Sequence, residues 1–233
     1  MQQTLDLLTN PEQSFDNFIG LTNDEVKRKI NFFLRSNDML HCVIKGLKGS
    51  GKTHLIAACC HQITAHGEKA CLINLKRPQH IENLLKKETL PQLVCIDDTQ
   101  LATNNKELEV LLFRLYNHIE QSGKKMIWAS RDFNLSPFSR KDLNSRYSAM
   151  LSLELHPNSP EENYLIIKHF IQQSQIVISN EACQLLIKEY NRDLSALTNK
   201  LKEISAYACS HKKKITLKIC RNLIGYDLHQ LAE

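Results

Sequence analysis

The chain has 233 residues, 42% of them apolar, with 30 basic against 25 acidic side chains. That is enough material for one α/β domain, a smaller second one and a real core, which excludes a disordered or fibrous chain. A net charge of +5 is too mild to argue for nucleic-acid binding by itself. No apolar run reaches the ~18 residues of a membrane span, so a cytosolic protein without membrane contact is expected.

Residues 1–14 carry Asn10-Pro11 and no helical period, and predict an extended arm leading into Phe15-Asp16-Asn17-Phe18. Thr22 with Glu25 three positions on has the form of a capping box, and Val26, Ile30, Phe33 and Leu34 follow at helical spacing, predicting a helix over 22–36. Short apolar runs at 41–44, 69–73, 92–96, 125–129 and 149–153 then alternate with helical patterns at 52–66, 78–88 and 105–122. Such alternation predicts an α/β fold with a parallel five-stranded sheet. After His156-Pro157-Asn158-Ser159-Pro160 the strand-like runs stop, and helical patterns at 161–174, 179–189, 192–209 and 216–225 predict a small all-α domain. The expected organisation is an arm at 1–14, a nucleotide-binding α/β domain at 15–157 and a helical domain at 158–233. Eight cysteines sit mostly inside apolar stretches with no C-x-x-C and no zinc spacing, and read as reduced core thiols.

One motif dominates the chemistry. Gly46-Leu47-Lys48-Gly49-Ser50-Gly51-Lys52-Thr53 is a complete P-loop, placed after an apolar run and before a helix. Glycines at 46, 49 and 51 let backbone N–H groups wrap phosphates at the helix N-terminus, with Ser50 in the loop, Lys52 on the β/γ-phosphates and the Thr53 hydroxyl on Mg²⁺. The buried run Leu93-Val94-Cys95-Ile96 ends in Asp97-Asp98. Asp97 is placed to hold the Mg²⁺ shell directly or through water, and Asp98 to orient a water or, alternatively, to serve as an ordinary helix-start acid. Ser130 follows the fourth apolar run and faces a γ-phosphate in this scheme, with Asp132 as its competitor. Arg146, Arg140 and Lys141 precede the fifth run, and Arg192 opens a helix of the second domain. Each of these basic residues also reads as a solvated surface group. The run Lys212-Lys213-Lys214 reads as a cap on the preceding helix C-terminus or a solvated turn, and Leu75-Lys76-Arg77 is too short to form a nucleic-acid site.

Together these motifs resemble the AAA+ module of the bacterial initiator DnaA, and more closely the Hda family, the DnaA homologue that inactivates DnaA. The likeness spans nearly the whole chain. It implies that Phe15-Asp16-Asn17-Phe18 with Asn23 forms the box that lines the adenine pocket, so that Phe18 and Asn23 are nucleotide contacts. Asp97-Asp98 with Gln100 resembles the Walker B of that clade, Ser145-Arg146 an arginine-finger box acting in trans, and Arg192-Asp193-Leu194 a sensor 2 box on a helical lid. Gln2-Gln3-Thr4-Leu5-Asp6-Leu7 is similar to the peptide by which Hda proteins hold the sliding clamp, with Gln2 on a pocket rim and Leu5 and Leu7 in an apolar groove.

The resemblance implies a regulator that binds adenine nucleotide, ADP or ATP, with Mg²⁺ and stimulates hydrolysis of DnaA-bound ATP. Its partners are then DnaA and the DNA-loaded clamp (β subunit) of the replicative polymerase, at the nucleoid of a bacterial cytoplasm. The chain closes near the end of the helical pattern and shows no helix-turn-helix stretch, so no sequence-specific DNA binding is expected; a homo-oligomer stays open. Lys52 and Thr53 are both present, which leaves intrinsic ATP hydrolysis open too. The competing expectation is an ATPase of the DnaC or IstB kind, acting on single-stranded DNA or a helicase.

Overall fold

A computed structural model describes residues 13–174, 176–189, 194–210 and 214–222. Within the first compact unit, which runs to Phe18 and then from Thr22 to Pro157, α1 (Asp24–Arg35) precedes β1 (His41–Gly46) and α2 (Lys52–Ala65). There follow β2 (Ala70–Asn74), α3 (Gln79–Leu85), β3 (Leu93–Asp97), a 3₁₀ turn (Thr99–Ala102), α4 (Lys106–Gln121), β4 (Lys125–Ser130), α5 (Lys141–Ala149) and β5 (Leu151–Leu155). The five strands form one parallel sheet in the order β2-β3-β4-β1-β5. The expected parallel five-stranded α/β module is therefore present.

The strands read as continuous apolar runs because both faces of the sheet are covered. Side chains alternate between two cores, as a period of two requires. Cys42, Ile44, Leu93, Cys95, Ile127 and Ala129 meet α1 and α2 on one face. Val43, Val94, Ile96, Met126 and Trp128 meet α3, α4 and α5 on the other. Full burial of an aliphatic side chain is worth about 1.5–3 kcal/mol, so these two layers are a main source of this unit's stability. Lys125 enters this core with its ammonium donating to the carbonyls of Phe33 at 2.9 Å, Met39 at 2.8 Å and Ser36. It thus closes the carbonyl end of α1, where a cation is favoured.

Two local expectations are corrected. The cap position of α1 falls on Asn23 rather than Thr22, and Glu25 pairs with Lys29 at 2.6 Å. Asn23 occupies that position because its amide ties α1 to the end of β5, accepting from His156 N and donating to His156 O, both at 3.0 Å. The segment carrying Arg146 is a helix, α5, where no helix was predicted.

The second unit comprises Asn158 onward together with Ile19–Leu21. It contains α6 (Pro160–Gln173), α7 (Asn180–Glu189), α8 (Leu194–Ser210) and helical residues 217–222. Ser159 and Glu162 form the reciprocal capping box that starts α6, with Pro160 in its first turn. Its core gathers Ile167, Ala182, Leu186, Leu197, Leu201 and Ile204.

Seven cysteines are described, all buried and none in a disulfide. Burial pushes the Cys71 thiol up to about 12 and Cys220 to about 11, far from the thiolate that metal binding or nucleophilic chemistry needs. No helix among the described residues is long and apolar enough to cross a membrane.

Candidate nucleotide-binding site

Parallel strands put their carboxyl ends on one edge, and β1, β3 and β4 deliver Gly46, Asp97 and Ser130 there. Between β1 and α2 the loop turns through Gly49 at φ 83° and Gly51 at φ 91°, a left-handed backbone that side-chain-bearing residues rarely adopt. At Gly46 a Cβ would lie 2.5 Å from Ser50 Oγ and 2.8 Å from the Leu155 carbonyl, so only glycine fits. The result is a tight concave loop at the N-terminus of a 14-residue helix.

The polar groups of this loop match what a polyphosphate and its cation require. Ser50 is buried, yet its Oγ has no hydrogen-bond partner among the described residues. Lys52 is buried with its Nζ donating to the carbonyls of Gly46 at 2.8 Å and Leu47 at 2.7 Å, which holds the ammonium over the loop. Burial lowers its pKa and the nearby Asp97 carboxylate opposes that. Thr53 Oγ1 donates to Asp97 Oδ2 at 2.7 Å, so the two oxygens expected to serve a magnesium ion are already adjacent.

Asp97 and Asp98 live in different fields. Burial raises the Asp97 pKa, against hydrogen bonds from the Thr53 hydroxyl and the Asp98 backbone N–H. A carboxyl whose folded pKa exceeds its unfolded value opposes folding once ionised; this penalty is complete above the folded pKa and fades as pH falls through the unfolded value. Asp97→Asn is therefore expected to raise the melting temperature of the nucleotide-free protein at neutral pH and to remove the magnesium-dependent part of nucleotide stabilisation. A melting scan with and without Mg²⁺-ADP checks both, and a lower melting temperature at neutral pH contradicts the argument.

Asp98 adopts φ 58° and ψ 37°, a left-handed conformation that strains a non-glycine residue and turns its carboxylate out of the strand line. That carboxylate accepts from Gln100 Nε2 at 2.9 Å, Arg131 at 3.1 Å and Asn74 Nδ2 at 3.3 Å, with Lys76 Nζ 3.8 Å away. Burial alone would raise its pKa; the Gln100 and Asn74 bonds and the two cations bring it below the ordinary value. The side-chain oxygen Oε1 of Gln100 also accepts from Arg131 N at 3.1 Å, closing the cluster. The alternative of a plain helix-start acid fits the position, since Asp98 caps the 3₁₀ turn, but its side chain makes no cap bond.

Ser130 is buried at the end of β4, and its Oγ accepts from Asp132 N at 3.0 Å, so the two competing candidates form one turn. The Thr99 hydroxyl donates to Ala129 O at 3.0 Å and pins the 3₁₀ turn beside it. Phe18 packs into the core under α2, with its ring edge 3.0 Å from the Cβ position of Gly51 and its ring 5.6 Å from His54. His54 in turn shares a 3.0 Å hydrogen bond with the Ser14 carbonyl. Asn23 is engaged at the end of β5, as described above.

Arg146, on α5, lays its guanidinium 4.6 Å from the ring centre of Phe113 and 5.4 Å from that of Tyr116. Its buried Nε has no hydrogen-bond partner among the described residues. Arg140 also lies over Phe113, at 4.8 Å, but is paired with Asp142 at 2.6 Å. Arg192 and the residues Gln2, Leu5 and Leu7 lie outside the described residues.

Sequence reasoning missed Asn74, Lys76 and Arg131 as neighbours of Asp98, and Glu109, a fully buried acid on α4. The available signal was an Asn and an Arg immediately at strand ends. For Glu109 it was an acid on the apolar stripe of a helix.

The family described as novel STAND NTPase 3 matches residues 27–173. An uncharacterized protein of Haemophilus influenzae is 30% identical over 189 residues, covering 78% of this chain and 80% of that protein. Among solved structures, domain III of the Thermotoga maritima replication initiation protein DnaA matches with a TM-score of 0.79 at 20% identity, covering 93% of this chain and 97% of that one. AMPPCP-bound DnaA from Aquifex aeolicus matches at 0.67 and 22% identity, covering 84% of this chain and 66% of that one. The Thermotoga maritima RuvB Holliday junction branch migration motor matches at 0.64 and 19% identity, covering 92% and 72%. At these identities the likeness is one of fold, and it is the AAA+ fold.

Proposed function

The chain belongs to the novel STAND NTPase 3 family, and from that premise we propose that it is a nucleotide-holding AAA+ regulator that acts on the ATP site of a DnaA-type partner. In this reading Ser50, Lys52 and the backbone amides of the loop hold the phosphates of an adenine nucleotide, with ADP as the resident form. Thr53 and Asp97 hold its magnesium ion, and Phe18 lies on the adenine side of the loop. Magnesium, when bound, neutralises phosphate charge.

The observation that carries the reading is the state of Asp98. A carboxylate that accepts from Gln100, Asn74 and Arg131 has most of its acceptor capacity committed, and its lowered pKa weakens it as a base toward water. Such a site suits holding a nucleotide better than turning it over. Arg146 has its contacts on the α4 rings and stands on the helix that leads into the edge strand β5, a position from which a neighbouring molecule's nucleotide can be addressed. The Gln2, Leu5 and Leu7 peptide brings the chain to the sliding clamp in this scheme, and the helical unit with Arg192 serves as the lid.

The test is ATP hydrolysis by purified DnaA, measured with and without this chain and with and without DNA-loaded clamp. Faster hydrolysis that needs both the chain and the clamp is expected. No change in DnaA turnover would overturn the regulatory reading while leaving nucleotide binding to be judged separately, by loss of Mg²⁺-ADP stabilisation in Lys52→Ala. The second reading, a loader-type ATPase of the DnaC or IstB kind, is favoured by the complete Lys52, Thr53 and Asp97 set. It predicts turnover by the chain alone, stimulated by single-stranded DNA.

A further inference from the structure

The exposed face of α1 is not used by the nucleotide site. The helix buries Val26, Ile30, Phe33 and Leu34 against the sheet, yet it presents Phe32 to solvent with 64% of its surface exposed. One turn before Phe32 stands Arg28 and one turn after it Arg35, so all three share a stripe. Both arginines are exposed, and neither has a hydrogen bond or ion pair among the described residues. With Lys27, Asn31 and Asp24, all on the same helix, these residues line a shallow, open cleft on the outer face of α1.

The charge in this cleft is lopsided. Its six residues supply three cations against the single carboxylate of Asp24, which lies at the N-terminal end of the helix where the dipole already favours it. The neighbouring Glu25 pairs with Lys29 at 2.6 Å and also lies in the field of Arg28. Lys27 Nζ reaches the Phe18 carbonyl at only 3.4 Å, and Asn31 Nδ2 donates to the Lys27 carbonyl at 2.9 Å. Two exposed arginines seven residues apart, about 10 Å along the helix axis, with an exposed aromatic ring between them, form a phosphate-base-phosphate pattern.

We infer that the α1 face formed by Arg28, Phe32 and Arg35 binds single-stranded nucleic acid, the arginines holding backbone phosphates and Phe32 stacking one base. The single strand is required because the ring needs a base face that a duplex keeps stacked. The contact carries no sequence preference, since every base has a π-face. An acidic peptide would satisfy the arginines and leave the ring unused.

The test is fluorescence anisotropy of the full chain with a labelled oligothymidylate at several salt concentrations. Salt-dependent binding is expected. The Arg28→Ala/Arg35→Ala variant should flatten the plot of log affinity against log salt by about 1.4, the share of two single-strand phosphates. Phe32→Ala should weaken binding roughly tenfold with the slope unchanged. All three side chains are exposed, so melting temperatures and Mg²⁺-ADP stabilisation should match the parent protein, which separates this result from the fate of the P-loop reading. The inference is overturned if no salt-dependent binding is seen, if the arginine variant binds like the parent, if a duplex of the same sequence binds as tightly, or if polyglutamate of equal charge displaces the oligonucleotide as effectively as unlabelled oligothymidylate.

Discussion

If the chain acts on DnaA as proposed, replacing Arg146 by alanine is expected to lower stimulation of DnaA-bound ATP hydrolysis by about 10³-fold or more, the scale of an arginine that meets transition-state charge in trans. The same variant should bind Mg²⁺-ADP like the parent, because the contacts of Arg146 are the rings of Phe113 and Tyr116 rather than any residue of the phosphate loop. Loss of those two contacts costs on the order of 1 kcal/mol in stability, so the variant folds and the kinetic comparison is clean. Arg146→Lys keeps the charge but cannot present a planar, bidentate donor pair, and should recover little of the effect. Stimulation within a few-fold of the parent in the alanine variant would remove Arg146 from the mechanism. Arg140, on the same ring but paired with Asp142, would then be the residue to substitute next.

The parts of this site that were legible in sequence are those whose chemistry is contiguous. The P-loop was readable because its glycines, lysine and threonine must follow one another through one turn, and Asp97 because a buried apolar run ends on it. The partners of Asp98 were not, since Asn74, Lys76 and Arg131 come from the ends of β2 and β4, which flank β3 only through the strand order of the sheet. Linear spacing carries no information about that order. α5 was missed for a different reason: it is nine residues long with only Leu143 and Tyr147 buried, too few to make a period. The Thr22 and Glu25 pairing had the form of a capping box but lost to a tertiary bond, the tie of Asn23 to His156, which sequence cannot weigh against a local one. The α1 periodicity placed Phe33 in the core correctly, and its neighbour Phe32, about 100° around the helix, followed to the outside without any sign of what it does there.

Glu109 joins these observations, and Glu109→Ala should have the largest effect on stability. Its carboxylate is fully buried and accepts from three donors: Ser139 N at 2.8 Å, the Ser139 hydroxyl, whose oxygen lies 2.9 and 2.8 Å from the two carboxylate oxygens, and Arg140 N at 3.0 Å. Those donors belong to the turn that starts α5, so one acid on α4 fixes where that helix begins. Four and seven residues further along the same face of α4 stand Phe113 and Tyr116, which receive the guanidinium of Arg146. Removing the carboxylate leaves two backbone N–H groups and a hydroxyl buried or half-buried without an acceptor, a loss of about 3 kcal/mol. For a chain of this size that corresponds to a fall of roughly 6–12 °C in melting temperature. Glu109→Gln retains one acceptor oxygen and should fall between the two. If the α4 face positions Arg146 as argued, Glu109→Gln should also lose stimulation of DnaA hydrolysis at a temperature where it remains folded, with Mg²⁺-ADP affinity intact. A glutamine variant with reduced stability and full stimulation would confine Glu109 to holding the fold.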